Sequence, residues 1–396
     1  MGFLMNKSYL ILIASIVFVI ILSFSLGFVS AQGNSNIVAV NEDTLACKEL
    51  CGLGSGNLSG GTFGFDSANE CLNNCFAAKD IGQVEGTCDP NTADGCCNVF
   101  AEPGQDPDCV TATWKLQDSG TDAFLYDVSA VDVSTAWVVG TGGTILHTSD
   151  GGTAWTQQTS GTFATFRGVD FVGLTEGWAV GSGGTIVHTS NGGATWAAQN
   201  SGITDNLWRV DFFDALHGWA VGGGGTILHT SDGGTTWSLQ TSGTSSFLFG
   251  VDFVSPTEGW VVGRDGTILH TSDGGATWTP QTSGTGAQLF GVDFVDSNTG
   301  WVVGGGPSAF IGHTTDGGAT WTEQSTGTGN LRDVDFIDAN TGWAVGHTGP
   351  FISQTTNGGT TWGGTGDSIG KQLNGASFVD ATNGWAVGFS AIFHLD

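Results

Sequence analysis

Tryptophan recurs along this chain at a nearly fixed interval, and that interval restricts the fold more than any other property of the sequence. One series, Trp114, Trp155, Trp196, Trp237, Trp278, Trp321 and Trp362, is spaced by 41, 41, 41, 41, 43 and 41 residues. A second lies in pentads such as "GWAVG" and comprises Trp137, Trp178, Trp219, Trp260, Trp301, Trp343 and Trp385. Together they take all but one of the 15 tryptophans, so only Trp208 needs a separate explanation. A period of about 40 residues fits either a helical solenoid or a four-stranded propeller blade. Each unit is rich in Gly, Thr, Val, Phe and Trp, poor helix formers punctuated by "DGG" or "NGG" turn signals, which favours the blade. Four short strands are expected per unit: a, "LFGVDFV"; b, "GWVVG"; c, "GTILHT"; d, "TWTPQTS". The expected fold is therefore all-β, a propeller.

Closure is written at the two ends. The last unit stops at "AIFHLD", after strand c, and the missing strand d is found in "TATWKLQDSGT", Thr111 to Thr121. The N-terminal strand should complete the blade begun by the C-terminus, giving seven blades and no unpaired blade at the seam.

Between strands c and d, the string T-x-[DN]-x-G-x-x-W occurs six times, from Thr148–Trp155 to Thr355–Trp362. It resembles the Asp-box, or BNR repeat. The WD dipeptide of WD40 repeats is absent and a kelch unit would be longer. The wider pattern "GVDFV…GWAVG…GTILHTSDGGATW" is similar to the photosystem II stability/assembly factor family, over Thr111 to the C-terminus. The resemblance implies a role in holding a reaction-centre subunit precursor and its partners during assembly. The photosynthetic members of that family carry a basic patch and no cysteine-rich head; this chain differs in its head and its acidity. The box residues Asp150, Asn191, Asp232, Asp273, Asp316 and Asn357 are read as structural. An Asp or Asn can accept backbone N–H groups of its own turn, Gly supplies positive φ, and catalysis needs one asymmetric constellation rather than six copies.

Upstream of the ring, residues 1–31 hold Lys7 and an apolar run from Tyr9 to Phe28 followed by "VSAQ". This reads as a signal peptide, or as an uncleaved membrane anchor. Both place the remainder outside the cytoplasm, secreted or tethered. A linker, 32–46, leads into a segment, 47–110, that holds all eight cysteines: Cys47, Cys51, Cys71, Cys75, Cys88, Cys96, Cys97 and Cys109. An exported chain favours disulfides over zinc. "CKELC" and "CLNNC" place two thiols on one helical face each, so Cys47–Cys75 and Cys51–Cys71 pairing is expected, with the other four open in connectivity. "DPNTADG", Asp89 to Gly95, departs from a calcium loop at two positions. Asn57-Leu58-Ser59 is a glycosylation acceptor motif.

The formal charge is −28, from 37 acidic residues against nine Lys and Arg, which excludes nucleic acid and anionic lipid surfaces as natural partners. No cofactor or metal is expected. Histidines 147, 188, 229, 270, 313 and 394 recur at one blade position, where rotated equivalents do not converge and packing is the simpler role. The "VDF" aspartates, Asp170, Asp211, Asp252, Asp293 and Asp335, lie nearest the axis; local backbone hydrogen bonding is expected of them rather than a bound cation.

A sialidase-like hydrolase is the enzymatic alternative, needing a Tyr nucleophile with a Glu and clustered arginines. The single propeller tyrosine, Tyr126, and the glutamates Glu176 and Glu258 fall at opposite ends of strand a, so no catalytic set is read. The expected function is a non-enzymatic, monomeric propeller binding a protein partner or a cell-surface glycan. Arg167, Trp208, Arg209 and Arg332 start strands a and Arg264 lies in a b–c turn, all on one face, which is taken as the partner face. The cysteine reading predicts no free thiols in the exported protein and a disulfide linking the "CKELC" and "CLNNC" peptides in non-reducing mass spectrometry. Eight reactive thiols with stoichiometric zinc would reverse it.

Overall fold

The computed structural model describes residues 26–28, 39–41 and 113–396, apart from 307–308, 325–328, 348–351 and 365–370. The chain divides into two units, Met1–Thr111 and Ala112–Asp396. In the first, Leu26–Phe28 pairs antiparallel with Ala39–Asn41. The cysteines and the other features expected there lie outside the described residues. Among those residues no helix is long and apolar enough to cross a membrane.

The second unit is a ring of seven four-stranded antiparallel sheets, all β. Blade 1 runs through Leu125–Asp132, Thr135–Gly140, Ile145–Thr148 and Thr156–Gln157, and blades 2 to 6 repeat the order. Blade 7 is composite: Gly375–Phe378, Gly384–Gly388 and Ala391–Leu395 are completed by Trp114–Gln117. Trp114 pairs with Leu395 and Gln117 with Ile392, the closure expected from the two chain ends.

Why the pentads recur is clear from the packing. Strand b is sandwiched by blades on both sides, so in blade 4 all of Gly259–Gly263 is buried. Its tryptophan lies flat on a phenylalanine of the next blade: Trp178 on Phe212 at 3.5 Å between centroids, Trp219 on Phe253 at 3.4 Å. In six of the seven blades a glycine precedes this tryptophan, and the phenylalanine ring of its own strand a requires it; blade 1, which has Ala130 in place of that phenylalanine, has Ala136 there. A Cβ on Gly218 would stand 2.4 Å from the Phe212 ring. On its other face the indole stacks on the recurrent histidine of its own blade, as Trp178 does on His188 at 4.8 Å. Those histidines pack; they do not converge.

The tryptophans that follow the boxes serve both their own blade and its neighbour. Trp196 and Trp237 are half-buried and pack edge to face on the strand-a phenylalanine of their own blade, Phe171 and Phe212, both at 5.8 Å, so they anchor strand d; their indole N–H groups also reach the preceding blade. Gln158 of blade 1 donates to the Gly192 carbonyl of the blade 2 box and accepts from Trp196 Nε1, at 2.9 and 3.0 Å. The latch recurs at Gln199, Gln240 and Gln324, and Gln117 makes it across the closing seam to Gly151 and Trp155. Inside each box, Thr148 Oγ1 donates to Asp150 Oδ1 and accepts from Gly152, while Asp150 Oδ1 accepts from Ala154. Asn191 and Asn357 make the same bonds through Oδ1.

Deleting Lys115–Thr121 should remove most of the outer strand of blade 7 and its latch. At roughly 1 kcal/mol net per lost hydrogen bond, the cost is about 3 kcal/mol or more, and the uncovered edge of Ala391–Leu395 invites association. Thermal melting and light scattering would read both. A monomeric deletion variant with an unchanged melting point would mean the ring closes otherwise.

Candidate functional site

The two faces of the ring differ because the connections do. The d–a connections bond to b–c turns, as in Ser182 N–H to Thr165 O and Arg264 N–H to Phe247 O. The box turns bond to the a–b turns on the opposite face, as in Gly192 N–H to Thr175 O. Strands a line the central channel between these faces.

At the start of strand a, six blades carry a bulge. In blade 3, Leu207 pairs with Gly222 and Arg209 with Val221, leaving Trp208 without a partner in the ladder. The same break falls at Tyr126, Arg167, Phe249, Phe290 and Arg332. A bulge re-aims the side chain it inserts, and here it turns all six toward one another around the channel mouth. They form a contact series through blades 1 to 6. The Arg167 guanidinium lies between the Tyr126 and Trp208 rings, 4.7 and 4.1 Å from their centroids. Trp208 meets Phe249 edge to face at 5.5 Å, Phe249 reaches Phe290 at 5.1 Å, and Arg332 lies over Phe290 at 4.1 Å. In blade 7 the position is Asn374, bonded to Leu125 O and His347. Outside this ring, Phe124, Phe163, Phe247 and Phe389 are exposed on the same face, and Arg264 lies over Phe247 at 4.9 Å.

One residue beyond the bulge, the side chains enter the channel. Four blades have glycine there, because the neighbouring backbone is too close: a Cβ on Gly168 would lie 2.9 Å from Arg209 Cα. The other three supply Asp127, Arg209 and Asp333. Arg209 is paired with both carboxylates, reaching from blade 3 to blades 1 and 6. This corrects the expectation that Arg209 belongs to the partner face. Its charge is consumed inside the channel, and the bulge explains why its neighbour Trp208 points elsewhere.

Two residues deeper, Ser129, Asp170, Asp211, Asp252, Asp293, Asp335 and Ser377 form a complete circle. Each accepts a backbone N–H from the following blade: Phe212 donates to Asp170 at 2.8 Å, Phe253 to Asp211 at 2.9 Å, and Ala130 closes the circle on Ser377 at 3.1 Å. The bonds are therefore between blades, not local as expected. A polar cavity of about 140 Å³ lies among these tiers. Burial pushes Asp170, Asp252 and Asp335 up to about 7, with neighbouring carboxylates adding to it, and Asp127 up to about 6. Among the described residues no His, Cys, Asp and Glu group is arranged to hold a metal ion.

The catalytic alternative finds no support in this geometry. Tyr126 stacks on Arg167 at the mouth, whereas Glu176 and Glu258 bond to His188 and His270 near the box face. Among the described residues, Arg167, Arg264 and Arg332 have no carboxylate within ion-pair distance, unlike Arg209. Half-burial also lowers the Arg332 pKa, a cost no internal ion pair offsets.

The carboxylate circle makes a pH prediction with a definite sign. A folded-state pKa above the unfolded value means the native ring holds protons the unfolded chain releases, so this contribution is full below about pH 4 and is lost as pH rises through about 7. The Trp-stacked histidines that burial draws down, such as His147 and His313, act oppositely below about pH 6.5. Comparing Asp252→Asn with the parent isolates the circle, because Asn keeps the acceptor and loses the charge. Its melting point should exceed the parent's at pH 8, and the difference should shrink steadily as pH falls through 7 toward 4. A difference independent of pH would show that Asp252 titrates normally.

The model of the family described as photosynthesis system II assembly factor YCF48 matches residues 107–201, 195–283 and 241–328, together more than half of the chain. No curated protein matches. Among solved structures, YCF48 bound to D1 peptide is similar with a TM-score of 0.60 and 21% identity, over 71% of this chain and 94% of that one. YCF48 from Cyanidioschyzon merolae gives 0.60 and 21%, over 72% and 99%. Virginiamycin B lyase from Staphylococcus aureus gives 0.60 and 16%, over 71% and 99%, so the ring alone does not name an activity. Where the lyase shares only the ring, the family model matches the repeats themselves, and by that match this chain belongs to the YCF48 family of photosystem II assembly-factor propellers.

Proposed function

We propose that this protein is a non-enzymatic propeller, working outside the cytoplasm, that holds a protein partner on its mouth face in the manner of an assembly factor. The observation that carries the reading is the mouth itself. Blades that repeat one another almost everywhere else diverge at the bulged position, which reads Tyr, Arg, Trp, Phe, Phe, Arg, Asn around the ring. A framework position would be expected to repeat; a recognition surface needs asymmetry. Arg and Trp are also the side chains that most often dominate binding energy. Support comes from the family and from its relative YCF48, whose structure carries a D1 peptide. The signal or anchor segment and the cysteine-rich segment are consistent with a site of action beyond the membrane.

The test is quantitative capture from solubilised membranes of the source cell on the immobilised full chain. Trp208→Ala combined with Arg167→Ala should weaken retention more than about tenfold with little change in melting point. Normal retention by that variant, with loss on Glu176→Lys and Glu258→Lys, would move the site to the box face.

A further inference from the structure

We infer that the mouth recognises an extended protein segment in which apolar side chains are flanked by carboxylates. The apolar groups rest on Trp208, Phe249 and Phe290, and the carboxylates meet Arg167 and Arg332. This rests on the mouth being the partner site and adds the chemistry of what enters it.

Three observations converge on that occupant. The first is order: going round the ring, the two arginines stand at the two ends of an unbroken aromatic arc, Arg167 on Trp208 and Arg332 on Phe290, with Phe249 touching both inner rings. The second is preorganisation. A guanidinium stacked on an aromatic face keeps its plane while its edge remains free to form paired hydrogen bonds with a carboxylate. The buried Nε atoms of Arg167 and Arg332 have no acceptor, so neither arginine is committed through that atom to the ring.

The third is charge. Acidic residues outnumber Lys and Arg by 37 to nine, yet among the described residues none pairs with Arg167 or Arg332, while Arg209, one position beyond Trp208, takes two. Internal carboxylates were thus placed on the channel arginine and kept away from those at the mouth. A purely anionic ligand would leave the aromatic arc idle, and a purely apolar one would bury two unpaired cations at high cost. Only a segment with both satisfies the surface. The exposed Phe247, beside Phe249, extends the apolar floor outward in the direction a longer segment would follow.

The experiment measures binding of labelled peptides to the full chain by fluorescence anisotropy. The parent probe carries a Phe-Leu pair with a glutamate two residues away on each side; one control has the pair replaced by serines, the other has the glutamates replaced by glutamines. The parent probe should bind, and each control should bind at least about tenfold more weakly. Trp208→Ala and Arg332→Gln should each cost about tenfold for the parent probe, with Trp208→Phe and Arg332→Lys recovering part of it and confirming a folded mouth. Equal binding of either control overturns the proposal. So does preferential binding of an oligogalacturonate that Arg332→Gln abolishes, which would make the occupant an acidic glycan. If no peptide binds while membrane capture still depends on Trp208, the chemistry proposed here fails and the partner site stands. If the peptides behave as expected while capture ignores the mouth, the partner reading fails instead.

Discussion

Flat stacking of an indole on the phenyl ring of the next blade is the contact from which the rest of the ring follows. At six boundaries the centroids lie between 3.4 and 3.8 Å apart and the planes within 10°. That contact fixes how close and at what angle two blades meet. Once it is set, the backbone N–H of the same phenylalanine falls within reach of the preceding blade's channel residue, so one residue is gripped by ring and by main chain. Outward, the same spacing brings the strand-d glutamine to the next box. The boundary between blades 7 and 1 has Ala130 where the others have phenylalanine, and there serine replaces aspartate and the Gln117 latch remains.

The channel shows what this arrangement costs. Five carboxylates face one another around the axis because each must reach a neighbouring backbone N–H, and mutual repulsion with burial is the result. Proton uptake relieves part of it. Arg209 relieves another part by neutralising Asp127 and Asp333, and in doing so ties together three blades that do not adjoin. The immediate neighbours of these three residues are Trp208, Tyr126 and Arg332. The brace in the channel therefore holds the mouth residues from below.

Much of this architecture was legible as sequence. The tryptophan period gave the blade count, and the orphan strand d at one end matched the missing one at the other. Less was legible at the site. The expectation for Arg209 assumed that neighbouring residues at the start of strand a share a face, whereas a bulge at Trp208 changes the alternation, and bulges leave no mark in the string. That Asp127 and Asp333 are its partners depends on distances across a ring, invisible to any repeat unit read alone. The aspartates of "VDF" were read as bonding locally for the same reason. One signal does lie in the string: aligning the residue after the strand-a leucine or phenylalanine across the units gives Tyr, Arg, Trp, Phe, Phe, Arg, Asn, a column of large and mostly aromatic or basic side chains that varies between blades whose flanking strand residues repeat.

The composite blade has a consequence in time. Trp114–Gln117 pairs with Ala391–Leu395, so a strand made before blade 1 waits until the other six blades have been made before it finds its place. Blades 1 to 6 can each form from contiguous sequence, which is rapid, while the final step is a single long-range encounter that carries most of the loop-closure entropy. Until then the nascent ring is an open crescent with the mouth incomplete. Recognition is thereby tied to completion: a chain interrupted before its last strand has all the aromatic and basic residues of the mouth but no closed rim to set their spacing.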